Sequence, residues 1–328
     1  MLNYIFRRIL SIIPTLLLAS VVAFAIIQLP PGDFATSYVA NLAAMGDTAS
    51  QEALVNLREA YGLNQPVMVQ YVKWMSGILL RGDYGISFEF REPVSALIWD
   101  RVWLTLWLSL ASIGLTWLIA FPIGIYSAVK QYSAGDYVFT LLGFIGVSVP
   151  AFLIALVLMY LQFKYLGKTV SGLFSSEFAN ASWSWARIVD LLAHLWLPAL
   201  ILGLGGTAEL VRILRANLLD ELRKPYVVTA RAKGLPEWKV ILKYPVRLAL
   251  NPFVSTLGWI LPGLISGSII LSQVMNLPTT GPLLLRSLQS QDMYLAGSMI
   301  LILSIATVIG TLVSDILLAL LDPRIRYQ

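Results

Sequence analysis

Cysteine is absent from this 328-residue sequence, and histidine occurs once, as His194. The first absence excludes disulfides, thiolate catalysis and cysteine-ligated metals. The second excludes multi-histidine metal sites. Charge is scarce as well: 12% of residues are charged and 58% are hydrophobic, whereas soluble domains carry about 25% charged residues. A soluble core cannot bury that much apolar surface with so few charges left for its exterior, so the sequence reads as a chain solvated by lipid. A nucleotide-binding loop is missing too. No Gly-x-x-x-x-Gly-Lys-Ser/Thr run, which would cradle phosphates on backbone amides, is present. Gly203-Leu204-Gly205-Gly206-Thr207-Ala208 loosely fits a dinucleotide pattern, but it lies inside an apolar run with no preceding strand. It reads instead as small residues that let helices approach closely.

What is abundant is long apolar sequence. Stretches free of Asp, Glu, Lys and Arg cover 9–32, 102–129, 137–163, 191–208, 248–285 and 293–314. A bilayer core of ~30 Å needs about 20 helical residues, so each stretch supplies one transmembrane helix and the fold is all-α. The 248–285 stretch reads as one helix over 252–275, because Asn276-Leu277-Pro278-Thr279-Thr280-Gly281-Pro282 is turn chemistry. The 191–208 stretch is short, so its helix must continue past Glu209 toward Arg212 and Arg215. The first run is too long for a cleaved signal segment, and Pro30-Pro31-Gly32-Asp33 follows it rather than a small-residue cleavage site.

Orientation follows from Lys and Arg, which collect in cytoplasmic loops. Arg7, Arg8, Lys130, the basic residues between Arg212 and Arg247, Arg324 and Arg326 all fall on one side of a six-span arrangement. The other side has more acidic than basic residues. Both termini are therefore expected in the cytoplasm. The expected organisation is an N-terminal helix over 1–32, an outside helical insertion over 33–100 and a five-helix core over 101–328, with a basic cytoplasmic loop at 217–250.

Within the outside insertion, Thr48 to Ala60 reads as a helix opened by a capping-box pattern and stopped by Gly62. Gln65 to Leu80 reads as a second, with Pro66 in its first turn. In the basic loop, Tyr226 to Lys233 suits two helical turns. Gly234 breaks them, and Pro236 starts another short helix through about Lys243. A small, basic, alanine-rich protrusion of this kind suits a groove on a partner; it equally suits a loop that only fixes topology.

Ionisable groups inside a span are costly and suggest function. Glu209 and Arg212 are three apart on one helix face. They form either a gate or a structural ion pair. Asp315, late in the last span, is a candidate of the same kind. His194 beside Trp196 reads as an interfacial hydrogen-bonding residue. Pro122, Pro150, Pro198 and Pro262 each fall within a span and permit kinks. Trp99, Trp103, Trp183, Trp185 and Trp196 fall near outer interfaces, where aromatic belts form.

The run Tyr226-Val227-Val228-Thr229-Ala230-Arg231-Ala232-Lys233-Gly234-Leu235 resembles the cytoplasmic coupling loop of ABC importer permeases. More narrowly, the chain resembles the dipeptide/oligopeptide/nickel permease family. Tyr4-Ile5-Phe6-Arg7-Arg8 opens it, and Tyr61-Gly62-Leu63-Asn64-Gln65-Pro66 and Gln70-Tyr71-Val72-Lys73-Trp74 follow. Gly82-Asp83-Tyr84-Gly85-Ile86-Ser87 comes next, and Leu320-Leu321-Asp322-Pro323-Arg324-Ile325-Arg326-Tyr327 closes the chain. The resemblance covers nearly the whole sequence. Its departures are Val228 where importers in general carry a glutamate, Thr229 for a usual alanine and Pro236 for a frequent capping serine. After span five, Met275 to Pro282 replaces a Phe-Pro-Gly-Leu-Gly run common in that branch.

The resemblance implies a type I ABC importer permease fold in a bacterial inner membrane. It implies a second homologous permease in a heterodimer, two ATP-binding subunits holding ATP and Mg, and an extracytoplasmic solute-binding protein. It implies no cofactor in this chain and no nucleic-acid partner. It assigns ATPase coupling to Thr229, Ala230, Arg231, Ala232, Lys233, Gly234, Leu235 and Glu237. The solute is expected to be a di- or oligopeptide, with an oligosaccharide as the alternative. A carrier working alone would need charges deep in several spans, and the first three spans have none. An intramembrane enzyme would need catalytic groups that the composition does not supply.

Overall fold

The computed structural model describes residues 2–29, 34–36, 38–39, 55–56, 58–59, 62–167, 171–179, 181–250 and 269–321, without the side chains of 2–9, 166 and 318–321. Most of the expected helix from Thr48 to Ala60, most of the expected span over 252–275, Pro262 and residues 322–328 lie outside that description.

The described residues form twelve helices and no strand. In order they are α1 (Leu2–Gln28), α2 (Val67–Arg81), α3 (Val94–Val129), α4 (Ala134–Ser148), α5 (Ala151–Leu166) and α6 (Trp185–Leu222). Then come α7 (Pro225–Ala232), α8 (Glu237–Lys243), α9 (Pro245–Ala249), α10 (Ile269–Val274), α11 (Thr280–Gln289) and α12 (Met293–Leu321). Four stretches are long and apolar enough to cross a bilayer: Leu10–Gln28, Val94–Val129, Trp185–Leu222 and Met293–Leu317. α6 runs about 57 Å at 1.5 Å per residue, so it continues well past Glu209, as its short apolar stretch requires.

The run expected as one span over 137–163 is interrupted. α4 ends at Ser148, α5 begins at Ala151, and their axes turn by 103°. The cause is local. Proline disfavours helical backbone in the residue before it, and the β-branched Val149 takes the extended conformation instead (φ −93°, ψ 125°). Pro150 then caps α5 with φ −56° and ψ 134°. Each half is about 23 Å long, short of the ~30 Å core. Pro122 and Pro198, by contrast, sit inside unbroken helices.

The chain divides into two compact units. One comprises Leu106–Pro278 and Ile309–Gln328. Within it α6 packs against α4, α5 and α9. Leu210, Leu214 and Leu218, four residues apart on one face, form a core with Ala120 and Ala128 of α3 and Ile241, Val246 and Ala249 of the α8–α9 region. Small residues bring the helices close. A Cβ built on Gly203 would lie 2.5 Å from Thr116 Oγ1 and 3.3 Å from the Ser112 carbonyl, and Thr116 Oγ1 donates to the Gly203 carbonyl at 3.2 Å. On the other side, Gly143 of α4 faces Ala208. Gly203 and Ala208 of the glycine-rich run in α6 thus serve helix packing, whereas a Cβ on Gly205 would meet nothing within 4 Å. Near the start of α6, the Arg187 guanidinium lies 4.7 Å from the Phe174 ring and 4.6 Å from that of Trp183.

The second unit comprises Leu2–Thr105 and Thr279–Val308. Its core joins Phe24 and Ile27 of α1, Trp74 of α2, Phe88, and Met293, Ala296 and Leu301 of α12. Trp74 Nε1 donates to Ser298 Oγ at 3.2 Å. Pro66 stands just ahead of α2 rather than inside its first turn, and its carbonyl accepts from Val69 and Gln70. Buried Asp292 caps α12 by accepting from the Leu295 amide at 3.1 Å, and also accepts from Ser87 Oγ at 2.5 Å. Burial pushes the Asp292 pKa up, against the hydrogen bonds from Ser87 and from the backbone.

The approach at Gly203 gives a first test. Gly203→Leu is expected to destabilise the detergent-purified chain by about 1–3 kcal/mol through overpacking. Gly205→Ala should be nearly neutral, because a Cβ there meets nothing within 4 Å. Thermal unfolding of both variants checks the contrast, and equal midpoints would contradict it.

Candidate functional site

The basic segment after α6 folds as a helical hairpin. Pro225 occupies the first turn of α7, where a missing N–H costs nothing. The helix stops where Gly234 takes φ +73°, a left-handed conformation in which a side chain is strained. Space is not the constraint there, since a Cβ on Gly234 meets nothing within 4 Å. Pro236 precedes α8 in extended conformation. Across the turn, Arg231 grips Glu237 with Nη2 to Oε1 at 2.6 Å and Nε to Oε2 at 3.1 Å. The Arg231 hydrogen bond holds the Glu237 pKa below the usual carboxylate range. That contact is therefore present at neutral pH and lost as the pH falls through the lowered pKa.

Val227 and Ala230 of α7 meet Val240 of α8 in a small buried core flanked by Tyr226, Leu235 and Tyr244. The face left outside is mixed. Val228 and Trp238 are exposed, as are Thr229, Arg231, Ala232, Lys233 and Glu237. Leu235, Trp238, Lys239, Leu242 and Lys243 line a shallow groove of about 460 Å³. Ala230 thus holds the hairpin together, whereas Val228, Trp238 and Leu242 form part of its outer surface. Eight residues of α7 are too few for an apolar period to reveal which side faces in. A tryptophan in a basic segment was the available signal for Trp238.

The hairpin is fixed to α6. Tyr226 Oη donates to Glu221 Oε2 at 2.5 Å, and burial together with that carboxylate pushes the phenol pKa up. Ile241, Val246 and Ala249 carry the contact to the leucine stripe of α6. One turn beyond Val211, Arg215 makes a bidentate pair with Asp136 in the first turn of α4, Nε to Oδ1 at 3.1 Å and Nη2 to Oδ2 at 2.9 Å. The Tyr132 amide donates to the same carboxylate at 2.9 Å. The side chain of Asp136 is 3% exposed and that of Arg215 27%. These residues stand 79 apart in sequence, so each reads alone as a loop charge.

At the α4–α5 break, Gly146, Val149, Pro150 and Ile154 face Ile201, Gly205, Glu209 and Arg212 of α6 around a groove of about 380 Å³. Glu209 and Arg212 are both exposed there. Among the described residues neither closes an ion pair or a side-chain hydrogen bond, so the pair considered from their spacing does not form. Asp315 lies in the last third of α12 and does interact, with a partner outside the described contacts. His194 Nδ1 lies 2.8 Å from the Asp190 carbonyl and 3.5 Å from the Asp190 carboxylate. The described residues contain no cluster of potential metal ligands.

Two family models match the chain. The one described as binding-protein-dependent transport system inner membrane component covers residues 120–327, and the one for the N-terminal part of such membrane components covers 1–111. Among similar proteins, the oligopeptide transport system permease protein AppB of Bacillus subtilis is 38% identical over the full length of both chains. A putative peptide permease of Brucella ovis is 35% identical over 99% of both. The glutathione transport system permease protein GsiC of Salmonella typhimurium is 34% identical over the full length of both.

Removing one member of this partly buried ion pair leaves the other without its partner. Asp136→Ala is therefore expected to cost about 1–2 kcal/mol, read as a lowered unfolding temperature of the purified protein. The exchange Asp136→Arg with Arg215→Asp should recover part of the loss. An unchanged midpoint in Asp136→Ala would contradict the clamp.

Proposed function

The chain belongs to the family of inner membrane components of binding-protein-dependent transport systems, and on that premise we propose that it is the permease subunit of an ATP-driven peptide importer. The observation that carries this reading is the end-to-end likeness to proteins named as peptide, oligopeptide and glutathione permeases. Those names favour a peptide over an oligosaccharide as solute. The chain is a multi-pass protein of the inner membrane, with several helices apolar and long enough for that solvent.

ATP and Mg are held by separate ATP-binding subunits, since this sequence has no phosphate loop. The basic hairpin lies in the cytoplasm with both termini, in line with the distribution of Lys and Arg. A second, homologous permease completes a heterodimeric pathway, and an extracytoplasmic binding protein delivers solute to it.

Thr229, Ala230, Arg231, Ala232, Lys233, Gly234, Leu235 and Glu237 form the coupling element in this reading, joined by Val228, Trp238 and Leu242 on the outer face. When ATP draws the motor subunits together, force enters at that face. It passes through Val227, Ala230 and Val240 to the α8–α9 region, then to Leu210, Leu214 and Leu218. α6 carries it to Glu209 and Arg212, where the pathway opens to one side or the other. The hairpin supports this role because its own core is buried and its outer face is apolar and basic.

Reconstitution with the motor subunits and the binding protein tests the reading. The complete assembly should take up peptide with ATP, whereas the chain alone should neither hydrolyse ATP nor transport. Ala230→Glu buries a charge in the hairpin core, and Gly234→Val imposes about 1–2 kcal/mol of left-handed strain. Each should lower uptake roughly tenfold or more while ATP hydrolysis and membrane insertion persist. Full uptake by both variants at normal expression would overturn the coupling role.

A further inference from the structure

Glu209 and Arg212 are opposite charges one turn apart, close enough to pair, yet neither has a charged or hydrogen-bonding side-chain partner among the described residues. Their neighbour Arg215 shows what this helix does with a structural charge: it holds Asp136 in a bidentate grip. Glu209 and Arg212 instead line a groove otherwise walled by apolar side chains and glycine. They follow directly on the apolar stretch 191–208. Charges at the end of an apolar stretch face water, a ligand or a partner, because hydrocarbon does not solvate them. Interrupted backbone such as that at Val149 and Pro150 is tolerated in a membrane where it lines a cavity or is covered by protein. The groove, about 380 Å³, falls in the range of small-molecule sites.

We propose that this groove is a transient binding station for a zwitterionic peptide, with Glu209 taking the terminal ammonium and Arg212 the terminal carboxylate. The inference rests on the peptide-import reading and adds to it the residues that touch the solute. The termini of an extended dipeptide are about 7 Å apart, against about 5–6 Å between the Cβ atoms of residues one helical turn apart, a difference that two long side chains can span. The apolar walls, Ile201 among them, accept side chains of varied shape, and Gly205 leaves room where a Cβ would meet nothing within 4 Å. Specificity at this station is therefore for the two charged ends and not for the side chains between them.

The test uses the detergent-solubilised, nucleotide-free complex of this chain with its partner permease and motor subunits, without the binding protein. The probe is a dipeptide with a diazirine side chain, compared in free, N-acetylated and C-amidated forms. Light-driven labelling should fall on peptides containing 146–154 or 201–212. In the wild type, either cap should reduce it roughly tenfold or more, the value of a charge-assisted hydrogen bond. Glu209→Gln should abolish the penalty for N-acetylation only, and Arg212→Gln the penalty for C-amidation only. Equal labelling by free and capped probes, or labelling confined to other regions, would overturn the station, and the wild-type comparison decides this even if a variant fails to assemble. Loss of the partner permease from either variant together with cap-independent labelling would assign the charges to the subunit interface. Peptide uptake by vesicles of the complete wild-type system separates the two claims. Uptake without cap-sensitive labelling removes the station alone, whereas absence of uptake removes the peptide reading beneath it.

Discussion

The leucine stripe of α6 is the contact on which the rest of the account depends. Leu210, Leu214 and Leu218 are each at most 2% exposed, and they join α3 to the α8–α9 region through one continuous core. Because they recur every fourth residue, the contact runs along the helix axis and not around it. A displacement of the hairpin therefore has a rigid element to act on. Close-packed interiors transmit strain rather than absorb it. Asp136 and Arg215 pin the same stretch of α6 to the start of α4, so the helix is held on two faces at the level where the hairpin attaches.

The break at Val149 and Pro150 has a different consequence. It shortens both α4 and α5 below the bilayer core and turns one against the other by 103°. The groove it leaves against α6 is where the chain keeps two charges unspent. Stability alone would favour pairing Glu209 with Arg212, or replacing both with apolar residues.

Much of this was legible in the sequence. The extension of α6 past Glu209 followed from an apolar stretch too short to span. The hairpin followed from Gly234 and Pro236, residues whose backbone preferences act locally. The break did not follow, because the sequence is free of charge from 137 to 163 and Pro150 reads like Pro122 and Pro198, which unbroken helices absorb. What differs is Val149, whose branched side chain adds to the proline's own push toward extended backbone. The Asp136–Arg215 clamp was hidden by sequence separation. The inward side of Ala230 was hidden by a helix of only two turns. The coupling role proposed for the segment rests on the family resemblance, and the packing of Val227, Ala230 and Val240 distinguishes its core from its outer face.

Because the chain has no cysteine, a single introduced thiol is a unique reporter. Val228→Cys and Trp238→Cys stand on the exposed face of the hairpin, at positions 59% and 62% exposed. In membranes containing the assembled transporter, each should crosslink to an ATP-binding subunit and resist impermeant thiol reagents added from outside. Thiols that react with those reagents in sealed, right-side-out vesicles, or that crosslink to no motor subunit, would contradict the account at its base.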